Sequence, residues 1–528
     1  MAIHNPILKG FNPDPSVIRV GEDYYIATST FEWFPGVQIH HSRDLANWRL
    51  LTRPLDRLSQ LDLKGVPDSC GVWAPCLSYD EGTYYLVYSN VKSFDGVWKD
   101  TPNFLISAKD ILGPWSDPIF LNASGFDGSL FHDNDGRKWY VSTLVDHRKG
   151  TFFGGIILQE YDPKQACLIG ERSLIFEGTE LGKTEGPHLY FKDGYYYLIT
   201  AEGGTEYGHA VSIARSRSLT GPYEMHPFNP ILCASNQPEH PLQKTGHADI
   251  VQTPEGDWWM VFLTGRPLTP QGRCNLGRET AIEEIIWRDD WPWLKTDHKL
   301  ARLSIGPGEA FASSGNTHKH LWDFKTDEID LQYQSLRVPI TEDWLSLSAR
   351  PAFLRLYGRE SLSSLHQQSH IARRVQSFAI QYTAALEFAP DNFQQMCGLT
   401  VYYNTGHYFY LHLFGERFQS YLNVIRYNNF EMDELIEEPI PLNRPKRVYL
   451  RLVWERAKLS FWYSLDEERW HQVGGYYDGS ILSDDYVREG GERYRAAFTG
   501  AFVGLACQDL TGMKKYADFA WVEYLERS

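Results

Sequence analysis

Five short aromatic and β-branched runs recur through the first half of the chain: "DYYIATS", "TYYLVYS", "KWYVST", "YYYLIT" and "DWWMVF". Taking Tyr24, Tyr84, Trp139, Tyr196 and Trp258 as their markers, successive copies lie 55 to 62 residues apart. Each interval is long enough for a four-stranded antiparallel sheet with its turns, which is the period of a slightly enlarged propeller blade. A second element agrees with that period. "SRDLANW", "AKDILGPW" and "RSRSLTGPY" each precede a Pro-containing strand start and read as one hairpin placed in three blades. "SRDLANW" has a local likeness to the Asp-box of sialidases, but Ala46 replaces its glycine and the tryptophan comes one residue early, so it is not taken as one.

About eleven residues before each marker stands a large functional side chain followed by Gly, Pro or Ala. These are Asp14-Pro15, Trp73-Ala74-Pro75, Asp127-Gly128, Glu185-Gly186-Pro187 and His247-Ala248. In a propeller the innermost strands converge on the axis, so equivalent positions of five blades form a ring at one end of the channel. Pro15 disfavours helical dihedrals at Asp14 and neither Pro13 nor Pro15 can donate to a ladder, so an extended lead-in with a fixed carboxylate is expected there. Asp249, two residues beyond His247, is expected to point away from the axis by strand alternation.

Three carboxylates sharing one site cannot all ionise cheaply, so at least one should keep its proton near neutral pH. Glycoside hydrolysis needs that pairing: a protonated acid for the leaving oxygen, and a base that activates water or a nucleophile on the opposite face. Residues reaching an axis from different blades suit the wider, inverting arrangement. A sugar-binding propeller without catalysis is the rival from another class, although a lectin has no need of an acid with a raised pKa.

Composition narrows the partners. With 67 acidic against 51 basic side chains the net charge is −16, which repels phosphate backbones and anionic lipid, so no nucleic acid or membrane partner is expected. The opening segment reads as lacking a secretion signal, and the seven cysteines are scattered without CxxC spacing, so a cytoplasmic location is expected.

"NPDPS", "WAP", "FDGSLF" and "EGPHLY", in this order and spacing, resemble the five-bladed propeller hydrolases of glycoside hydrolase family 43. The two-domain layout is similar to that family's β-xylosidase branch. The resemblance implies Asp14 as general base, Glu185 as general acid, and Asp127 as the carboxylate that orients the acid and raises its pKa. It implies that Phe31, Trp73, His247, Arg278 and Phe498 contact substrate. No cofactor is expected for the chemistry itself. His247 could hold a calcium ion on the axis, as it does in several relatives, or serve as a hydrogen-bonded histidine fixing water. Dimers or tetramers are expected from the family.

The small-residue stretch "PGEAFASSGNTH" reads as a linker with a boundary near residue 315, dividing a catalytic propeller at 1–315 from a second domain at 316–528. Alternating runs such as "FAIQYTAALEF", "HYFYLHLF" and "RVYLRLVWE" make the second domain an antiparallel sandwich. The resemblance makes it a concanavalin-like jelly roll that sends the "RYRAAFTGAFVG" loop, with Phe498 at its tip, across the propeller mouth. No separate carbohydrate site is legible there. The chain is thus read as all-β. Its expected activity is that of an inverting exo-acting β-1,4-xylosidase releasing xylose from xylo-oligosaccharides, with α-L-arabinofuranosidase as side activity or, alternatively, as main activity.

Overall fold

The computed structural model describes residues 2–94, 96, 98–149, 152–296, 298–306, 318–489 and 496–527. The expected linker falls almost wholly outside these residues, and so does the boundary near 315. The chain divides into two compact units: residues 1–61, 70–271 and 278–310 make the first, and 62–69, 272–277 and 311–528 the second. Two short segments from within the first 315 residues therefore group with the second unit. Asp68 accepts from Arg337 at 2.8 Å, and the Cys274 amide donates to Asp485 at 2.9 Å.

The first unit contains five antiparallel sheets in chain order, each led by one innermost strand. These strands are β1 (Ser16–Val20), β2 (Gly71–Asp80), β3 (Gly125–His132), β4 (Glu185–Lys192) and β5 (Gln243–Gln252). Contacts run β1 to β2 to β3 to β4 to β5 and back to β1, which closes the ring. The aromatic runs are the second strand of every blade, from Asp23–Thr28 to Trp258–Gly265. Their side chains fill the seams between consecutive blades: Tyr197, Ile250 and Phe262 in one cluster, Val17, Tyr24, Val251 and Val261 in the cluster that joins last blade to first. Burial of these apolar faces is the main force holding blade to blade. The three "SRDLANW"-type segments each connect the third strand of a blade to the fourth, as their repetition implied.

Ring closure is reinforced by polar contacts of the chain's first residues. Ile3–His4 pairs with Ser304–Ile305. The Asn5 side chain donates to Ile282 O at 2.7 Å and Arg302 O at 2.8 Å and accepts from Ile282 N at 2.9 Å. Fully buried Glu279 takes the Gly10 amide at 2.8 Å and a two-point contact from Arg266.

The second unit is built from two antiparallel sheets around one large core that includes Trp344, Tyr382, Leu411, Leu452, Trp454 and Phe461. The alternating runs read from sequence are its strands, among them Ala379–Glu387, His407–Glu416 and Val448–Glu455. No helix among the described residues is long and apolar enough to cross a membrane.

Candidate active site

Each innermost strand of the first unit carries the same local device near its start. Asp14, Ala74, Asp127, Gly186 and His247 adopt positive φ, from 32° to 57°. In β2 to β5 a register shift falls at this place, between Trp73 and Cys76, Phe126 and Ser129, Glu185 and His188, and Gly246 and Ala248. A bulge with a left-handed residue re-aims a side chain that regular pleating would have sent sideways. Asp14 is therefore not the extended residue expected from its flanking prolines. Its φ is +55°, a conformation that Asp tolerates better than most residues.

Asp14 is buried, and each of its carboxylate oxygens accepts a hydrogen bond. Ser29 Oγ donates to Oδ2 at 2.7 Å, Arg278 Nη1 donates to Oδ1 at 3.0 Å, and His247 Nδ1 lies 3.8 Å from the same oxygen. The ring closure described above delivers this pairing, because the Asn12 amide bonds Arg278 O at 2.9 Å, two residues before Asp14. Asp127 Oδ2 accepts the Gly186 amide at 3.1 Å, which ties the second carboxyl to the residue after Glu185. A Cβ on Gly186 would stand 3.0 Å from the His247 ring, so glycine is what lets β4 and β5 approach here.

Burial shifts these groups in a consistent direction. Asp127 is pushed up to about 8, by desolvation first and the nearby Asp14 charge second, with the Gly186 amide and Arg278 opposing. Glu185 retains partial solvent contact, yet desolvation and then Asp127 and Asp14 drive it well above the usual carboxylate range. His247 is pulled down to about 4 by burial, so its ring is neutral at pH 7. The site thus holds at least one protonated carboxyl beside a carboxyl clamped by a guanidinium, the combination that acid and base work demands.

An aromatic wall adjoins the carboxyls. Phe31 lies 6.1 Å from Trp73 between ring centroids, and the Arg278 guanidinium is 5.5 Å over Phe31. Trp73 further contacts Phe94 at 5.1 Å and Phe126 at 5.7 Å. Of the residues singled out from sequence, Asp14, Asp127, Glu185, Phe31, Trp73, His247 and Arg278 come together in this unit. Phe498 belongs to the second unit, where its amide donates to Ser69 Oγ at 3.1 Å and Arg488 sits 5.1 Å over its ring. Residues 493–495 of its loop lie outside the described ones.

Sequence reading missed several neighbours. Thr205 Oγ1 takes a second bond from Arg278 at 3.0 Å, and Ser29 also accepts the Ala74 amide at 2.7 Å. Phe31, Phe94 and Thr205 each stand three residues past the end of their blade's second strand, a phase that the repeat could have disclosed. Asp249 corrects an expectation. It faces the neighbouring inner strands, accepting from the Val17 amide at 2.7 Å and from Tyr190 OH, because residues two apart share a face and the His247 bulge does not reverse it.

Calcium prefers six to eight oxygens. Among the described residues no group of three or more His, Cys, Asp or Glu could hold a metal, and the carboxylate beside His247 already accepts from Arg278. No step below passes through a metal.

Residues 3–292 match the family described as Glycosyl hydrolases family 43, and residues 322–525 match the Beta xylosidase C-terminal Concanavalin A-like domain. The chain belongs to glycosyl hydrolase family 43. It is 48% identical to a beta-xylosidase of Bacillus subtilis (strain 168) over all of both chains. It is also 48% identical to a xylosidase/arabinosidase 43B of Humicola insolens, over 99% of this chain and 97% of that one. The crystal structure of a xylan beta-1,4-xylosidase from Bacillus halodurans C-125 superposes with a TM-score of 0.94 at 48% identity, covering 99% of this chain and 100% of that one. The propeller read from the repeat and the concanavalin-like domain implied by the resemblance are therefore both present.

Proposed function

We propose that this family 43 hydrolase is an inverting, exo-acting β-1,4-xylosidase that releases xylose from the non-reducing ends of xylo-oligosaccharides, with α-L-arabinofuranosidase as a side activity. The observation that carries the chemistry is the electrostatic division within one buried cluster: Asp14 held by Arg278 and Ser29, Glu185 and Asp127 driven toward their protonated forms. The choice of sugar is supported by the activities for which the full-length relatives are named, one of them both xylosidase and arabinosidase.

In this mechanism Glu185 gives its proton to the glycosidic oxygen as the bond to the anomeric carbon breaks. Asp14 takes a proton from the water that attacks the opposite face of that carbon, and inversion results. Asp127 orients Glu185 and keeps its proton in place. Phe31 and Trp73 offer flat faces to the CH side of the ring, while Arg278 and Thr205 bond hydroxyls. The hydrolase works in the cytoplasm as a dimer or tetramer.

Replacing Glu185 with Ala tests the assignment. Turnover of xylobiose should fall roughly 10²- to 10⁴-fold, the range for loss of a general acid. The drop should be much smaller on a nitrophenyl xyloside, whose leaving group needs little protonation. Unchanged turnover of xylobiose would remove Glu185 from the mechanism, whereas no turnover by the native protein would favour a non-catalytic sugar binder. A proton-NMR time course should show α-xylose first; β-xylose first would exclude inversion. Comparing kcat/KM on nitrophenyl xyloside and arabinofuranoside ranks the two activities.

A further inference from the structure

The outer face of the second unit's eight-stranded sheet carries a feature that the catalytic chemistry does not use. Four adjacent strands form it: Ala379–Glu387, Val448–Glu455, Lys458–Ser464 and His471–Asp478. Alternate residues Leu450, Leu452, Leu459 and Phe461 enter the core, so the intervening ones stand on the other side. There they enclose a groove of about 310 Å³, within the lower range of small-ligand sites.

Register explains its shape. One cross-strand row runs Gln381, Val453, Ser460, Tyr476, and its two short central side chains make a floor. The flanking rows are tall, with Arg451 opposite Trp462 on one side and Glu455 opposite Lys458 on the other. The walls are fixed in place. Trp462 Nε1 donates to Ser460 Oγ at 3.1 Å, Arg451 lies 3.5 Å over Trp470, and Lys458 lies 3.7 Å over Tyr476.

Trp470 is held by a turn that reproduces the one ending at Trp48. In "SLDEERW" Asp466 Oδ1 accepts the amides of Glu468 at 3.0 Å and Arg469 at 2.8 Å, and Trp470 Nε1 donates to Glu467 O at 3.0 Å. In "SRDLANW" Asp44 takes the amides of Ala46 and Asn47 at 3.0 and 2.7 Å, and Trp48 donates to Leu45 O at 2.8 Å. The same rigid turn thus serves a blade in one unit and presents an indole to the groove in the other.

The lining selects a ligand class. Flat indole and phenol faces favour a molecule with an apolar side, and Gln381, Arg451 and Glu455 supply donors and acceptors around it. Three cations, Arg451, Lys458 and Arg527, meet one carboxylate, Glu455, but Arg527 is paired with it at 3.3 Å and the other two lie over Trp470 and Tyr476, so the aromatic faces rather than a bare cationic pocket set the character of the lining. A pyranose ring, with CH faces and in-plane hydroxyls that both give and accept hydrogen bonds, fits this set.

We propose that the groove is a second, non-catalytic saccharide site that takes a β-linked xylo-oligosaccharide; the choice of pentose rests on the functional reading above. Affinity electrophoresis tests it on the full chain carrying Glu185→Gln, which halts hydrolysis. In native gels containing soluble xylan this protein should be retarded relative to a sugar-free gel. Adding Trp462→Ala should raise the apparent dissociation constant at least fivefold. Val453→Trp, which fills the floor without removing an aromatic, should do the same. With Glu185 intact, Trp462→Ala should keep kcat/KM on nitrophenyl xyloside within twofold of the native value, showing an intact fold. Retardation unaffected by both groove variants would overturn the proposal. Retardation by hydroxyethylcellulose but not by xylan, lost in Trp462→Ala, would keep the saccharide site and reject the xylan reading.

Discussion

Asp127→Asn should stabilise the protein at neutral pH, and the gain should grow with pH. The folded carboxyl titrates at about 8 against an ordinary value of 3.8, because it is desolvated and lies near Asp14. Between those values the folded chain holds a proton that the unfolded chain has released. Stability contributed by this group is therefore complete below pH 4 and falls as pH rises toward 8, by roughly 1.4 kcal/mol per pH unit. From pH 4 to pH 7 the native protein should lose roughly 4 kcal/mol through Asp127. The amide of Asn carries no charge to desolvate, and its oxygen can still accept the Gly186 amide. The variant escapes the loss. Thermal unfolding followed across pH 4 to 7 should show variant and native midpoints diverging by roughly 5–10 °C for a unit of this size. Parallel curves over that range would refute the assignment of Asp127 as a buried, proton-holding carboxyl. Activity should move the opposite way: turnover falls, and the alkaline limb of its pH profile shifts to lower pH as Glu185 loses its proton more easily.

Arg278→Lys keeps the charge but cannot bridge Asp14 and Thr205 with the same geometry, so kcat/KM on nitrophenyl xyloside should fall roughly 10- to 100-fold, from a loss of about 1.4–2.8 kcal/mol. Asn5→Ala removes three side-chain bonds that close the ring and should cost about 2–4 kcal/mol, read as a lower unfolding midpoint with unchanged KM. Gly186→Ala places a methyl 3.0 Å from His247 on a residue with φ of +57°. It should cost about 1–2 kcal/mol of stability and lower kcat more than that loss explains, since Glu185 is the preceding residue. Native stability and kcat in that variant would contradict the close approach of β4 and β5.

The sequence by itself determined the architecture, because burying five equivalent aromatic strands at a period near sixty leaves few alternatives to a ring of sheets. It also determined which side chains meet: phase relative to Tyr24, Tyr84, Trp139, Tyr196 and Trp258 selected Asp14, Trp73, Asp127, Glu185 and His247 without any distance. Tertiary structure alone decided how they are held. The left-handed residues and bulges that aim them arise from close packing at the axis, which no local propensity announces, so Asp14 looked extended and Asp249 looked outward. Thr205 and Ser29 were invisible for a related reason. Small hydroxyl residues in loops are common, and only the folded blades give these two partners of consequence: Ser29 meets Asp14 from 15 positions away and Thr205 meets Arg278 from 73. The saccharide groove followed the same rule. Strand alternation could place Trp462 and Arg451 on one face, but the cross-strand register that sets short side chains between tall ones exists only once the sheet has formed.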